Sequence, residues 1–160
     1  MKYFPFYIDL KKKSVLLIGG GEVAERKLDL LIKAKANVTL ISPETTSYIL
    51  DIAEKNNIKI INEKYSSQHL DQKYSFVIAA TNNEELNRSI ALDANKNNIL
   101  VNVVDRPEIC DFIFPSILER GDITVSVSTG GASPVLARML RTKLETMIPG
   151  AYGKVAKIIA

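Results

Sequence analysis

The chain has 160 residues, 46% of them hydrophobic, with 21 basic residues against 18 acidic ones for a formal charge of +3. That is enough apolar material for one main domain with a packed core and too little for two large ones. The basic residues are dispersed, with no long basic block, no aromatic-basic interleaving and no run of roughly 18 apolar residues, so neither nucleic acid nor membrane is expected as a partner.

In chain order, Tyr3 to Leu10 predicts a short strand, and Lys11-Lys12-Lys13 a solvated turn. Ser14 to Ile18 is a compact apolar run ended by three glycines, which fits a parallel strand buried on both faces. Val23, Leu28, Leu31 and Ile32 then recur at helical spacing, with Glu25, Arg26, Asp29 and Lys33 turned away. Val38 to Ile41 predicts the next strand, Thr45 to Lys55 a helix, Ile58 to Ile61 a third strand and Phe76 to Ala80 a fourth. A helix over about Glu84 to Lys96 and a strand over Ile99 to Val104 follow. This alternation predicts an α/β fold with a doubly wound parallel sheet. Beyond Asp105 the pattern changes. Phe112 to Leu118 and Ile123 to Ser128 flank a turn at Glu119 to Asp122 and predict an antiparallel hairpin. Ser133-Pro134 opens a helix that should stop near Pro149-Gly150, and Ala151 to Ala160 reads as the start of another.

Gly19-Gly20-Gly21-Glu22-Val23-Ala24 has the form G-x-G-x-x-A between a buried strand and an amphipathic helix. Two readings stand: a dinucleotide turn, whose glycines let backbone N–H groups approach a pyrophosphate at a helix N-terminus, or a tight structural turn. Ser42, Pro43 and Glu44 occupy the end of the second strand, where a ribose-binding acid is usually sought; the Ser42 hydroxyl or the Glu44 carboxylate suits ribose. No Lys or Arg follows at once to hold a 2′-phosphate, which favours NAD over NADP. Thr81 and Asn82, with Asn83, sit at the exit of the fourth strand as cofactor contacts, as a helix cap, or both. Asn102 and Asp105 occupy the same edge one strand later, where Asp105 is a candidate general base or an ordinary loop residue. In Ser128-Thr129-Gly130-Gly131-Ala132-Ser133-Pro134, the N–H groups around Ser128, Gly130 and Gly131 are placed to hold a carboxylate or a phosphate, or only to cap a helix. His69 has no ligand partners at metal spacing, so no protein metal site is expected. The single Cys110 reads as a packing residue and suits a reducing compartment, hence a cytoplasmic location.

Taken together, VLLIGGGEVAERK, AATNNEELN, VNVVDRPEICDFIFPSI and VSVSTGGASPVLARMLR resemble the precorrin-2 dehydrogenases, which also occur as the N-terminal module of sirohaem synthases. The resemblance runs from about Tyr3 to Pro149. It implies a Rossmann domain over 1–111, a dimerisation segment over 112–150 and the start of a C-terminal helical segment over 151–160, assembled as an intertwined homodimer. It further implies NAD-dependent oxidation of precorrin-2 to sirohydrochlorin and, in many members, insertion of ferrous iron at the same site. The nucleotide turn of the family falls on Gly19 to Val23, its second-strand contact on Ser42 to Glu44, its active-site carboxylate on Asp105 and the serine of its glycine-rich turn on Ser128. Arg106 departs from the acid or small residue that relatives often carry. Arg120, Arg138 and the helix start at Ser133 are candidates for holding the substrate's carboxylates. The competing class is an NAD-sensing regulatory module without catalysis, which would have no reason to combine VNVVD with STGGASP.

Overall fold

The computed structural model describes residues 2–71 and 73–159. Five strands form one parallel sheet: β1 (Ser14–Ile18), β2 (Asn37–Ile41), β3 (Lys59–Ile61), β4 (Phe76–Ala79) and β5 (Leu100–Val103), in the order β3-β2-β1-β4-β5. β2, β1 and β4 are the inner strands, and the apolar runs of β1 and β4 have the composition that burial on both faces demands. Val15, Leu16 and Leu17 are fully buried, as is Val77. Leu16 pairs with Thr39 on one side and Val77 on the other, so the register aligns the C-terminal ends of β1, β2 and β4. Strand order reverses between β1 and β4, the switch point at which such sheets open a crevice for ligands.

Three helices complete this part of the chain. α1 (Glu22–Lys33) buries Ala24, Leu28 and Leu31. α2 (Ser47–Asn56) is capped by Thr46, whose hydroxyl accepts from the Ile49 N–H at 3.3 Å, and ends at Asn57 in the left-handed conformation. α3 (Glu84–Lys96) is capped by Asn83 and buries Ile90, Ala91 and Ala94 against a core that includes Ile18, Val77, Val101 and Val103. Each fully buried Leu or Ile there contributes roughly 1.5–3 kcal/mol.

The chain divides into two compact units, Pro5–Phe112 and the remainder. In the second, β6 (Ser116–Arg120) and β7 (Ile123–Val127) pair antiparallel around Gly121 and Asp122. They are followed by α4 (Pro134–Met147), with Ser133 as its N-cap, and α5 (Ala151–Ile159). Arg120 donates from Nε to the Ile148 carbonyl at 3.0 Å, tying the hairpin to the end of α4.

Three expectations change. Tyr3 to Leu10 takes no strand conformation, and Phe4, Phe6 and Tyr7 are exposed. The hairpin begins at Ser116 and not at Phe112, because Pro115 has no N–H to give a ladder. Its turn is also tighter than 119–122, since Glu119 and Arg120 remain paired with Thr124 and Ile123.

Candidate functional site

The exit of β1 is held between its neighbours: Gly19 N–H donates to the Ile41 carbonyl at 2.9 Å, and Ala80 N–H to the Ile18 carbonyl at 2.8 Å. Gly19 takes φ +127°, and a Cβ there would lie 2.2 Å from the Ala80 carbonyl oxygen. Gly20 is constrained from the other side, since its Cβ would lie 2.0 Å from the Glu44 carbonyl oxygen and 2.6 Å from Ser42 Oγ. Gly21 differs: beyond its two chain neighbours, nothing lies within 4 Å of where its Cβ would be. It is also the N-cap of α1 with no side-chain cap bond, so the first N–H groups of the helix face outward without a capping side chain.

These glycines form one wall of a cavity of about 1140 Å³ at the C-terminal edge of the sheet. Ser42 to Thr46 forms the second wall and Ala80 to Asn83 the third; Lys64 and Tyr65, just after β3, close the far side. The space and the uncapped helix start fit a dinucleotide, with Gly21 leaving the pyrophosphate position clear of side chains. Glu22 and Val23 line the same cavity.

The Ser42 side chain is not arranged as expected. It is buried, and its hydroxyl donates to the Glu44 carbonyl at 2.5 Å, so it shapes the loop, while Glu44 itself is exposed and lines the cavity. Thr46 N–H donates to the Gly20 carbonyl at 3.1 Å and stitches that loop onto the glycine turn. Thr81 is equally committed: its hydroxyl donates to Asn87 Oδ1 at 2.7 Å, and Asn87 Nδ2 donates to the Thr81 carbonyl at 2.9 Å. Asn82 is exposed on the cavity wall, while Asn83 Oδ1 accepts from Leu86 N–H at 3.0 Å and caps α3. The cap reading and the cavity reading of this segment therefore hold together.

Asp105 does not line this cavity; it follows β5 at the same edge of the sheet, exposed, with φ +60°. Asp is among the residues that tolerate such a backbone. The turn is pinned by Cys110, whose sulfur accepts from Val103 N–H at 3.1 Å and lies 3.2 Å from the Arg106 carbonyl as donor. Burial pushes the Cys110 thiol up, which keeps it protonated and inert. Arg106, the departure noted in the sequence, forms ion pairs with Glu84 and with Glu108, the latter at 3.5 Å. Asn102 is buried and donates from Nδ2 to the Phe112 carbonyl at 2.8 Å, so it braces residues 102–112 and does not present its amide to a ligand.

Ser128, Gly130 and Gly131 belong to the second unit. Ser128 is exposed, and its hydroxyl accepts from Gly130 N–H at 3.0 Å; the glycines take φ +65° and +88°. The Thr129 hydroxyl donates to the Ser133 carbonyl and accepts from its N–H, at 3.0 and 2.9 Å. The loop is thus a built helix entry.

Four residues near the site were not singled out from sequence. Lys64 and Tyr65 come from beyond β3, outside the second-strand window in which nucleotide contacts were sought. The Tyr65 phenol is pushed up by burial first and then by Asp93, to which it donates at 3.2 Å, so it stays a donor. Asn87 and Lys27 carried a readable signal: each falls on the apolar face of its helix, Asn87 with Ile90, Ala91 and Ala94, Lys27 between Ala24 and Leu31.

Residues 6–116 match the family described as NAD(P)-binding, and residues 120–147 match the sirohaem biosynthesis protein central family. The chain is 45% identical over 159 residues to a sirohaem synthase of Pseudoalteromonas translucida, covering 99% of this chain and 33% of that protein. It is 43% identical over 160 residues to a sirohaem synthase of Methylococcus capsulatus, covering 100% and 34%. The chain thus spans about a third of the length of these curated relatives. Among solved structures, SirC, a precorrin-2 dehydrogenase, superposes with a TM-score of 0.84 at 26% identity over 97% of this chain and 76% of that one. With the nucleotide cavity built from residues inside the matched span 6–116, the chain belongs to the NAD(P)-binding family, and the segment 120–147 that follows matches the sirohaem biosynthesis protein central family.

Proposed function

We propose that the chain oxidises precorrin-2 to sirohydrochlorin with NAD as hydride acceptor, in sirohaem synthesis. The observation that carries this reading is the cavity at the sheet's C-terminal edge, with its uncapped helix start and its clear space at Gly21, combined with a carboxylate one strand away at the same edge. When bound, the nicotinamide supplies the hydride-accepting ring. The backbone of Gly19 to Val23 holds the pyrophosphate, the Glu44 carboxylate accepts from ribose hydroxyls, and Thr81 and Asn82 border the nicotinamide end. Asp105, ionised, removes the proton that the macrocycle loses beside the hydride. The same carboxylate would accept pyrrole protons if ferrous iron enters as a second substrate. Ser128, Gly130, Gly131 and Arg138 are assigned to the carboxylates of the tetrapyrrole. Arg120 is a weaker candidate, because its guanidinium already donates to Ile148 and Glu119 carbonyls.

The domain assignment is 1–111 for nucleotide binding, 112–150 for dimerisation and 151–160 for the start of a helical segment. A homodimer is supported by the exposed apolar stripe of α4, Val135, Leu136, Met139 and Leu140, continued by Val155 and Ile158 of α5. No described helix is long and apolar enough to cross a membrane; a cytoplasmic location is assigned from the single free Cys110, which suits a reducing compartment.

Anaerobic incubation with precorrin-2 and NAD, followed by the absorbance of sirohydrochlorin, tests the reading. Turnover that needs both supports it, and NAD binding without turnover would favour the regulatory module. Adding ferrous iron to sirohydrochlorin in the same cuvette tests metal insertion.

A further inference from the structure

The turn that carries Asp105 is stitched to the third wall of the nucleotide cavity in two places. Val104 N–H donates to the Ala79 carbonyl at 3.0 Å, so the exit of β5 lies beside the exit of β4. Two residues on, the Arg106 guanidinium pairs with Glu84, which opens α3 directly after the Asn83 cap and two residues after Asn82 of the cavity wall. Between these ties stands Asp105, exposed, at φ +60°. The turn is also braced within itself: Arg106 N–H donates to the Val103 carbonyl at 3.3 Å, and the Arg106 carbonyl accepts from Ile109 N–H at 3.1 Å and from the Cys110 thiol at 3.2 Å. A turn braced in this way moves as a unit, so its ties to other elements decide where Asp105 stands. Glu108 pairs with Arg106 as well, at 3.5 Å, but it belongs to the same turn and adds no tie to α3.

We propose that Arg106 is a positioning residue: its ion pair with Glu84 fixes the Asp105 turn against the start of α3 and so sets the base relative to the nicotinamide end of the cavity. The proposal rests on the dehydrogenase reading above, in which Asp105 takes the substrate proton. Glu84 lies in the first turn of α3, where the helix dipole already favours a carboxylate. Arginine suits the other side of the pair, since its fork of donors can serve Glu84 and Glu108 together and its charge is permanent. The Arg106 and Glu84 side chains are 35% and 53% exposed, so the pair is one that salt screens, and its effect on rate is a few-fold and no more.

The test uses the whole chain with precorrin-2 and NAD at saturation. Glu84→Gln removes the pair between elements and leaves Arg106 with Glu108; it should lower kcat about two- to fivefold with KM for NAD unchanged, because Asn83 still caps α3. Arg106→Ala should lose as much, Arg106→Lys less, and the double variant no more than either single one. Glu108→Gln should match the native chain. In about 1 M salt the native rate should fall toward that of Glu84→Gln, since the pair is then screened. Additive losses in the double variant overturn the proposal, as does an equal loss in Glu108→Gln. A rise in KM for NAD at unchanged kcat overturns it too, because the pair would then serve the cavity wall and not Asp105. If the native chain shows no turnover, the dehydrogenase reading fails and the positioning role falls with it; turnover with an additive cycle sinks the positioning role alone.

Discussion

Gly20 and Gly21 are neighbours of one type under opposite demands. At Gly20 a side chain would strike the Glu44 carbonyl, so Gly20→Ala should displace the 42–44 loop and cost about 1–3 kcal/mol, read from the urea midpoint. At Gly21 a side chain meets open cavity at an N-cap, where Asp is a favoured helix starter. Gly21→Asp should therefore keep or raise stability while abolishing NAD binding by calorimetry, since its charge occupies the pyrophosphate position. The glycine pattern was legible in the sequence. That Gly20 is packed against residues 42–44 while Gly21 faces open space was not, because the difference lies in where residues 42–44 return. Asp105 is the third such residue. Asn is at home at φ +60° and matches its size, so Asp105→Asn should fold normally and bind NAD unchanged, while turnover falls by a factor on the order of 10² to 10⁴. Ser128→Ala should cost much less in the same assay.

Among elements, the turn from β4 into α3 depends on a buried polar residue of the helix. Asn87 is 5% exposed and holds both the hydroxyl and the carbonyl of Thr81, so the cavity wall is fixed from the helix. Asn87→Ala should destabilise the chain by roughly 1–3 kcal/mol, because it leaves those groups without partners, and should weaken NAD binding in calorimetry. The element read best was β1, whose bounds match the apolar run Ser14 to Ile18, because burial on both faces writes itself as an unbroken apolar string. The segment read worst was Tyr3 to Leu10. Its aromatic and aliphatic residues suit a strand, but a strand needs a neighbouring edge, and composition does not supply one. The segment after β3 adds a cation, Lys64, to a cavity that also carries Glu44. NAD should still bind at least about tenfold tighter than NADP, since no base follows Glu44 directly, and Lys64→Gln should widen that ratio. Equal affinities in the native chain would reassign Lys64 as a 2′-phosphate contact.

For the whole molecule, the exposed apolar side chains of α4 and α5 are more than an isolated chain of this size ordinarily shows to water: Met139, Met147 and Ile158 are 55%, 70% and 84% exposed. Sedimentation at micromolar concentration should give a dimer, and Met139→Lys should shift it toward monomer. The dimer expectation began from the hairpin, yet Leu118 is buried and the bare surface lies mainly on the helices that follow.

The sequence by itself determined the strand and helix periods, the parallel α/β class, the glycine turn and the helix start at Ser133, because each is written in residues adjacent along the chain: an apolar run, a 3.6-residue stripe, a cap followed by proline. Only the tertiary structure decided that Ser42 faces its own loop, that Asn102 braces Phe112 and that Asn87 fixes Thr81. These pairings join segments whose proximity depends on strand order and register, and a polar side chain reads the same in sequence whether it turns to a ligand or to the backbone beside it.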